Sequence, residues 1–579
     1  MGWPYEFLTL DQAEKHARRQ SLDRYAAYAQ LSAVVPVIVF LLYRLGAWLV
    51  RTAIPQRGAY SAVPSVPDSP VLKQQRQSAV GSWARAARRA AWWLGDDIRF
   101  LGQNWGQRDQ MIVGIGWTMW LILLCVLGTG KDYLHLTKRF GIIATSQFPL
   151  QYLLSLKSLN PIAFAFRSSH EQVNRWHRVL GRIVYFLLIL HACFYLNFYI
   201  QEGILSERLV RLVPVLGLVA FFGMVLLNST AISFIRQYSY RVFFITHLVV
   251  ALALPPIIFI HARHAGLYMA EALLVFFVDI VKRKIDTIVA STTLELIPGT
   301  DLIKIVASIP SQKISRFREH PAAHIYLSIP AAARPTSSPL SAAYLVFEFA
   351  FNPFTVAAVD EESKELILVA RRHKGPMTRT LGHFANGGVT SMDIPLSIDG
   401  PYGCTKRFPN LAGSRFDRIL LVAGGVGATF ILPLYRAILS ENSAARVQMV
   451  WAVRGAGDAT WPVSETAKSI LDDDNVHLFL TGDIFEATGE AAGSSDGSEA
   501  IELSQVHQHQ RSKKHVSTQS RRRPDLQKIV DDLFRQGMED RVAVLVCGPE
   551  EMARELRAAV GVWVHKGRDI WWHNESFAW

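Results

Sequence analysis

The chain has 579 residues, half of them hydrophobic, with a formal net charge of +13 and only four cysteines. This length exceeds that of a single domain, and four scattered cysteines exclude a disulfide framework. Residues 1–285 hold nearly all of the long apolar runs, whereas residues 286–579 have the composition of a soluble protein. Because part of the positive charge flanks the apolar runs, it indicates membrane anchoring and no nucleic-acid partner.

Seven apolar segments are long enough to cross a bilayer as helices. They cover roughly residues 31–50, 111–129, 141–158, 178–199, 212–228, 242–262 and 266–282. The loop 51–110 holds nine Lys and Arg residues, which predicts that it faces the cytosol. Seven spans then place the N-terminus outside and the soluble half in the cytosol. The sequence therefore predicts a multi-pass integral membrane protein in contact with the lipid bilayer.

Two of these segments carry histidines at the same interval. His177 and His191 are 14 residues apart, and so are His247 and His261. In a helix, 14 residues are just under four turns, so both histidines of a segment share nearly one face and lie about 21 Å apart. Two such helices side by side form one histidine pair near each membrane surface, which is what two b-type haems require. We therefore predict that these four histidines bind two haem irons.

Other polar residues lie close to this pattern. Four arginines fall within about two turns of the inner histidines: Arg175, Arg178, Arg182 and Arg241. They would pair with haem propionates or act only as positive anchors at the membrane surface, and the sequence leaves both interpretations open. Two further histidines, His170 and His264, are predicted to lie at the interface.

Residues 286–410 alternate strand-like runs with turns rich in Pro, Gly and Ser. The predicted strands are 293–297, 324–329, 344–351, 365–370 and 392–398. This pattern predicts a small antiparallel β-barrel. Within the barrel, residues 374–378 form a turn with free N–H groups, a hydroxyl and a nearby cation, where a phosphate could dock.

Residues 411–579 alternate strands and helices. The strand-like run 418–423 is followed at once by the glycine-rich segment 424–429 and then by a helical stretch. Strand, glycine turn and helix together hold a pyrophosphate through backbone N–H groups and the helix dipole. Arg454 ends the second predicted strand, where it could reach a nucleotide ribose or its 2′-phosphate. Residues 485–525 are rich in Ser, Gly, Glu, His and Arg and are predicted to be a disordered insertion.

Taken together, these motifs resemble those of the fungal ferric reductases, relatives of the NADPH oxidases, over about residues 110–579. The histidine quartet is similar to that family's haem ligands. Pro353, Phe354 and Thr355 resemble its flavin motif, which usually begins with His where this chain has Asn352. The resemblance also implies flavin contacts at Lys374, Gly375, Met377 and Thr378, NADPH contacts at Gly424, Gly425, Gly427, Thr429, Arg454, Gly548 and Pro549, and a joint between the two domains at 399–403. Cys547 and the terminal Trp579 are the implied catalytic positions, with the Trp579 ring stacked on the isoalloxazine until nicotinamide displaces it.

The resemblance implies four regions and one electron path. Residues 1–110 hold a first helix and a basic loop without family motifs, 111–285 a helical haem domain, 286–410 an FAD-binding barrel and 411–579 an NAD(P)H-binding α/β domain. Electrons would pass from cytosolic NADPH through FAD and two b haems to an external ferric or cupric chelate. The resemblance further implies a role in iron uptake beside an iron permease or oxidase system, at the plasma membrane in preference to the vacuolar one.

Two alternatives remain open from the sequence. One is an oxidase that produces superoxide, and the other is an inactive haem-containing scaffold, which only Asn352 favours. The equal histidine intervals and the lack of an EF-hand pattern in the sequence favour metal reduction over superoxide production.

Overall fold

The computed structural model describes most of the chain. The described residues are 4–53, 79–100, 103–334, 341, 344, 347–386, 393–403, 405–413, 415–462, 470–482, 523–537 and 540–576. They form a helical region, a β-barrel and an α/β domain in chain order, so the predicted architecture is confirmed. The predicted insertion lies outside the described residues except for 523–525, and Trp579 also lies outside them.

Thirteen α-helices precede the barrel within the described residues. They are α1 (Gln12–Ser32), α2 (Val35–Ala53), α3 (Ala79–Leu94), α4 (Arg108–Val126), α5 (Tyr133–Ser146), α6 (Phe148–Leu153), α7 (Pro161–Ala165), α8 (His170–Gln201), α9 (Leu205–Arg208), α10 (Leu212–Thr230), α11 (Ser233–Tyr238), α12 (Tyr240–His261) and α13 (Gly266–Asp286). A short hairpin of β1 (Asp97–Phe100) and β2 (Gln103–Gln107) connects α3 to α4.

Six helical segments of the described chain are long and apolar enough to cross a membrane. They are Gln12–Gly46, Arg108–Val126, His170–Gln201, Leu212–Thr230, Tyr240–His261 and Arg263–Asp286. The predicted span 141–158 is not among them, because this region folds as two shorter helices, α5 and α6, separated at Gln147. Pro149 lies in the first turn of α6, where its missing N–H costs no helical hydrogen bond and marks a new helix start.

Helices α5 and α6 nevertheless run together along α8. The Thr137 carbonyl of α5 accepts a hydrogen bond from His191 at 2.8 Å, and the Gln151 carbonyl of α6 accepts one from His177 at 2.9 Å. Thr137 and Gln151 are 14 residues apart, as are His177 and His191, and the two segments run in opposite directions. The two helices therefore cover the whole distance between the two histidines and fill the place of the predicted third span.

Helix α13 leads directly into a closed six-stranded barrel. Its strands are β3 (Ile288–Leu296), β4 (Leu302–Ser308), β5 (His324–Ser328), β6 (Asn352–Asp360), β7 (Glu365–Arg371) and β8 (Ile394–Tyr402), arranged β3-β4-β7-β6-β5-β8 with antiparallel neighbours. Two helices, α14 (Ser311–Arg318) and α15 (Pro376–Asn386), accompany it. The predicted antiparallel barrel is confirmed.

Two strand assignments in the barrel differ from the prediction. The predicted strand 344–351 is wrong, because the residues described there form helical turns and coil. Phe347 and Ala350 are both buried, and a spacing of three residues places them on the same side of such a turn. Strands β4 and β6 were not predicted, although β6 begins at Asn352 and thus contains the motif at 352–355.

The C-terminal domain is a five-stranded parallel sheet with helices. Its elements are β9 (Arg418–Gly424), α16 (Ala428–Glu441), β10 (Val447–Val453), β11 (Val476–Leu480), α17 (Leu526–Arg535), β12 (Val542–Cys547), α18 (Glu550–His565) and β13 (Ile570–Glu575). The strand order is β11-β10-β9-β12-β13, so the order in which strands are added to the sheet reverses between β9 and β12, while all strands stay parallel. The central strands β9, β10 and β12 are mostly apolar and buried, as expected for a parallel sheet that is covered on both faces.

The helical region has one end at the barrel, which we call the barrel side, and an opposite far side. Helix α8 begins at His170, whose Nε2 lies 3.2 Å from the Tyr326 hydroxyl of the barrel. Helices α8 and α12 both run from the barrel side to the far side. His177 and His247 therefore lie on the barrel side, and His191 and His261 on the far side, as the spacing predicts.

Candidate functional site

The barrel-side histidines face each other across the helical region. The ring centroids of His177 and His247 are 6.0 Å apart, and the rings are inclined by 55°. A metal–imidazole bond is about 2 Å long, so two imidazoles on opposite sides of one metal ion have centroids roughly 6 Å apart. The spacing of this pair therefore suits two axial ligands of one iron.

Hydrogen bonds fix the tautomer of three of the four imidazoles. Nδ1 of His177, His191 and His261 lies 2.9, 2.8 and 2.8 Å from the main-chain oxygens of Gln151, Thr137 and Val213. A carbonyl only accepts, so Nδ1 carries the proton and Nε2 bears the lone pair that a metal would use. In His177 this Nε2 lies 3.3 Å from the Gln151 side-chain amide nitrogen, which would have to move for a metal to bind. Nδ1 of His247 is buried and has no hydrogen-bond partner among the described residues.

Glycines make room for the far-side rings. A Cβ atom placed on Gly141 of α5 would lie 2.7 Å from His191 Cε1, and one on Gly217 of α10 would lie 2.6 Å from His261 Cε1. Both distances are far below van der Waals contact, so each imidazole packs directly on a helix backbone. His191 and His261 also lie close enough to interact electrostatically.

These observations fit the haem interpretation of the quartet. Three of the four imidazoles are fixed by neighbouring main chain in the tautomer that a haem iron binds, and the two pairs lie at opposite ends of two parallel helices. The donor set is therefore suited to two b-type haems, one on each side.

The arginines near the barrel-side pair separate into two groups. Arg175 forms an ion pair with Asp109 at 2.8 Å, so a haem propionate is not needed to neutralise it. Arg178 instead lies within electrostatic reach of Arg182 and Arg236. None of these three has an ion-pair partner among the described residues, which leaves a positive cluster suited to an anionic group beside this pair.

The predicted flavin motif lies on the barrel strand β6, next to β5. Thr355 is opposite His324, Phe354 opposite Ile325 and Pro353 opposite Tyr326. Thr355 is buried, and Phe354 packs against the barrel core. Asn352 is the first residue of the strand and is only partly exposed. The motif is therefore held rigidly by the sheet.

The second predicted flavin segment forms the entrance to α15. The Thr378 hydroxyl is hydrogen-bonded to the N–H and the carbonyl of His373, which closes the turn around Lys374 and Gly375. Lys374 is exposed, and a Cβ on Gly375 would meet no atom within 4 Å, so a ligand can approach the turn and the helix N-terminus. The Met377 side chain is buried in the barrel core, so only its main chain can face a ligand in this turn.

The two glycine motifs of the C-terminal domain meet where the strand order reverses. Built Cβ atoms show how close they are: one on Gly427 would lie 2.1 Å from the Cys547 carbonyl oxygen, and one on Gly424 would lie 2.6 Å from Pro549 Cδ. A Cβ on Gly548 would lie 3.0 Å from Gly424 Cα. In open α/β sheets, ligands bind in the crevice at this reversal point.

Other predicted residues of this domain are distributed around the crevice. Gly425 has a positive φ of 54° and turns the chain toward the helix. Thr429 is buried and donates a hydrogen bond to the Val426 carbonyl at 2.9 Å, so it supports the turn. Arg454 is exposed at the end of β10, where it is free to reach a nucleotide. Burial and the Glu575 carboxylate raise the pKa of the Cys547 thiol, which therefore stays protonated.

A buried polar contact, which we call the latch, joins the barrel to α8. It consists of His170, Glu171, His324 and Tyr326. The Glu171 carboxylate lies 2.6 Å from His324 Nε2 and 3.0 Å from His170 Nε2. His324 belongs to the strand beside the flavin motif, and Glu171 precedes His177 by six residues on the same helix. The latch thus connects the flavin motif to a histidine of the quartet.

A second contact anchors the barrel to the end of α13. The Arg283 guanidinium donates to Asp399 at 2.6 and 2.9 Å, and the Tyr402 hydroxyl donates to the same carboxylate at 2.5 Å. The segment 399–403 was predicted as a joint between the flavin and nucleotide domains. The Asp399 carboxylate of this segment binds the helical region, while Arg371 contacts Asp458 at 3.2 Å and joins the barrel to the α/β domain.

Sequence reasoning missed the latch. His170 was predicted at the interface with lipid and water, but it is buried against the barrel. An adjacent His-Glu pair at the first turn of α8, the helix with His177 and His191, was the only signal in the sequence, and it does not indicate the partner, His324.

Comparisons with known proteins agree with this geometry. A family described as ferric reductase like transmembrane component matches residues 140–258, and one described as ferric reductase NAD binding domain matches residues 416–561. A protein of Scheffersomyces stipitis named probable metalloreductase AIM14 is 22% identical over 86% of this chain and 90% of its own length. A Schizosaccharomyces pombe protein named ferric/cupric reductase transmembrane component 2 is 21% identical over 76% of this chain and 80% of its own length.

The fold and the site define an integral membrane oxidoreductase with a nucleotide-binding domain. The chain combines a segment that matches the ferric reductase like transmembrane component with a segment that matches the ferric reductase NAD binding domain. The resemblance stated from the sequence is therefore confirmed.

Proposed function

We propose that the protein takes electrons from NADPH on the barrel side and delivers them to a ferric or cupric chelate on the far side. FAD, when bound, accepts a hydride and releases its electrons singly, and haem iron carries single electrons. The observation that carries the proposal is the arrangement of four histidines as two pairs, with three imidazoles fixed by main-chain carbonyls. Barrel and nucleotide domain lie at one end of this arrangement.

In this proposal each cofactor has one place. His177 with His247, and His191 with His261, would each hold one haem. The β6 motif with Pro353, Phe354 and Thr355, together with the turn around Lys374 and Gly375, would hold FAD. The crevice of Gly424, Gly425, Gly427, Gly548 and Pro549, with Arg454 at its edge, would hold NADPH, and the 2′-phosphate would meet the Arg454 guanidinium.

The latch and the Asp399–Arg283 contact support the electron path. They hold the barrel against the ends of α8 and α13, so the flavin motif and the barrel-side histidines belong to one connected framework. Electron transfer depends on placement, and the protein's contribution is to keep these positions fixed.

The acceptor is proposed from chemistry and from similarity. A haem held by two histidines would carry electrons to an acceptor that does not bind its iron, and a metal chelate suits such a transfer. The relatives are named metalloreductase and ferric/cupric reductase, and this supports a metal chelate as the substrate. With the barrel in the cytosol, the acceptor side would face outward; a role in iron uptake at the plasma membrane follows as part of the proposal.

Substitution of the far-side histidines tests the assignment. His191→Ala or His261→Ala should abolish reduction of ferric citrate while NADPH-driven reduction of a soluble dye continues, because the flavin is upstream of that pair. Purified protein in detergent with measured haem and FAD content is the sample. Continued ferric citrate reduction by both variants would contradict the proposed order.

A further inference from the structure

A segment without any family motif holds the nucleotide domain. It consists of α3 and the β1–β2 hairpin, described over residues 79–100 and 103–107, and we call it the strap. The strap precedes the membrane helix α4. It packs against α18 and against β13, the edge strand of the parallel sheet. Its contacts are therefore made between parts of the chain that are more than 450 residues apart.

Arg557 of α18 is the centre of this contact. Its guanidinium carbon lies 4.1 Å from the centroid of the Trp92 ring, and its Nη2 donates to the Trp92 carbonyl at 2.8 Å. Nε and Nη2 also contact Asp96 Oδ1 at 3.2 and 3.1 Å. The Trp92 ring meets Trp572 of β13 edge to face at 5.8 Å. A planar cation stacked on one ring and bound by one carboxylate has a defined orientation.

Asp96 extends this contact to the membrane domain. Its second oxygen, Oδ2, accepts a hydrogen bond from Arg108 at 2.9 Å, and its carbonyl accepts one from the Arg108 N–H at 3.0 Å. Arg108 is the first residue of α4. One carboxylate thus joins the start of a membrane helix to α18, and all three side chains are between one fifth and two fifths exposed.

Close packing shows that the fit is specific. A Cβ on Gly561 of α18 would lie 3.0 Å from the Trp92 indole nitrogen. The same helix begins directly after Gly548 and Pro549, which line the nucleotide crevice. A shift of α18 would therefore move one wall of the crevice.

We propose that the strap sets the position of the nucleotide domain, with Asp96 and Arg557 as positioning residues for hydride delivery from NADPH. The inference rests on the proposed function, and it gives the strap and the latch different roles. The strap governs the step from NADPH to flavin, whereas the latch governs the step from flavin to haem. Neither Asp96 nor Arg557 belongs to the crevice itself.

Two measurements on the purified full chain distinguish this role from general support of the fold. The first is NADPH-driven reduction of a soluble dye, with kcat and KM for NADPH determined separately. The second is reoxidation of the haems by ferric citrate after stoichiometric chemical reduction without NADPH. Asp96→Asn should lower kcat/KM for NADPH in dye reduction by about tenfold, since misplacement by about 1 Å can cost up to a hundredfold in rate. The rate of haem reoxidation by ferric citrate should not change.

Matched variants complete the test. Glu550→Gln removes the partner of Arg99 at the exposed rim of the same interface and should change neither rate by more than about twofold. Asp96→Glu should keep most of the wild-type dye reduction. Trp92→Phe should have a rate between those of the wild type and Asp96→Asn. Unchanged dye reduction in both Asp96→Asn and Arg557→Gln would overturn the proposal, and so would equal losses in both measurements. Failure of the wild type to reduce its haems with NADPH would instead reject the proposed function.

Discussion

Replacing Gly217 by alanine tests how His261, one of the two far-side histidines, is held in place. The new Cβ would lie 2.6 Å from Cε1 and 3.1 Å from Nδ1 of His261. Non-bonded carbon atoms rest about 3.5–4.0 Å apart, so the ring has to move by about 1 Å. That movement stretches the 2.8 Å contact between Nδ1 and the Val213 carbonyl.

The expected cost follows from these two effects. Extra atoms in a packed interior cost about 1–3 kcal/mol, and loss of an orienting partner lowers metal affinity by about 10- to 100-fold. Alanine favours a helix over glycine by about 1 kcal/mol, so the helix itself should gain stability. A loss of haem would therefore come from the displaced imidazole.

The assay is the haem content per chain, together with ferric citrate reduction. Gly217→Ala should bind about one haem where the wild type binds two, and should keep dye reduction while losing ferric reduction. Gly223→Ala on the same helix is the control, because its Cβ would meet Leu254 and Val250 at 3.4 Å. Two firmly bound haems and normal ferric reduction in Gly217→Ala would refute the assignment of His261.

Three further predictions concern the other contacts. Glu171→Gln removes the carboxylate that lies between His324 of the barrel and His170 of α8, and should slow haem reduction by NADPH at least about tenfold while dye reduction continues, since groups that lose their polar partner in a buried contact cost about 1–3 kcal/mol; equal slowing of both rates would argue against a latch. Gly427→Ala should abolish NADPH-driven dye reduction with haem content unchanged, because its Cβ would overlap the Cys547 carbonyl oxygen; retained dye reduction would contradict the close approach of the two motifs. Burial, with a contribution from the Arg283 charge, lowers the pKa of Lys157 to about 7. An unfolded lysine keeps its proton to pH about 10.4, so the unfolded state binds more protons between these values and stability should rise from pH 7 to 10. Lys157→Met should flatten this rise in a thermal-unfolding series, and an unaltered slope would exclude Lys157 as its cause.

The sequence was most informative where a residue spacing or an order of elements determines the structure. The interval of 14 residues in two apolar segments predicts the histidine quartet, because helix geometry converts spacing directly into depth. The order of strand, glycine turn and helix at 418–439 predicts the nucleotide crevice for the same reason. Neither inference needs knowledge of which segments are neighbours.

The parts that were missed depend on contacts between distant segments. The carbonyls of Thr137 and Gln151 orient two imidazoles, but they belong to a stretch whose polar residues hid its position along α8. The predicted strand 344–351 failed because its apolar residues are also compatible with helical turns. Asp96 and Arg557 are 461 positions apart, and neither residue stands out from its local sequence.

The anaerobic absorption spectrum of the purified protein tests the central claim most directly. NADPH is added first, and ferric citrate afterwards. NADPH should produce the bands of reduced low-spin b haem, and ferric citrate should remove them. Bands that persist with ferric citrate but disappear in air with release of superoxide would contradict metal reduction and favour an oxidase. Haems that dithionite reduces and NADPH does not would contradict the electron path from the nucleotide domain to the histidine pairs.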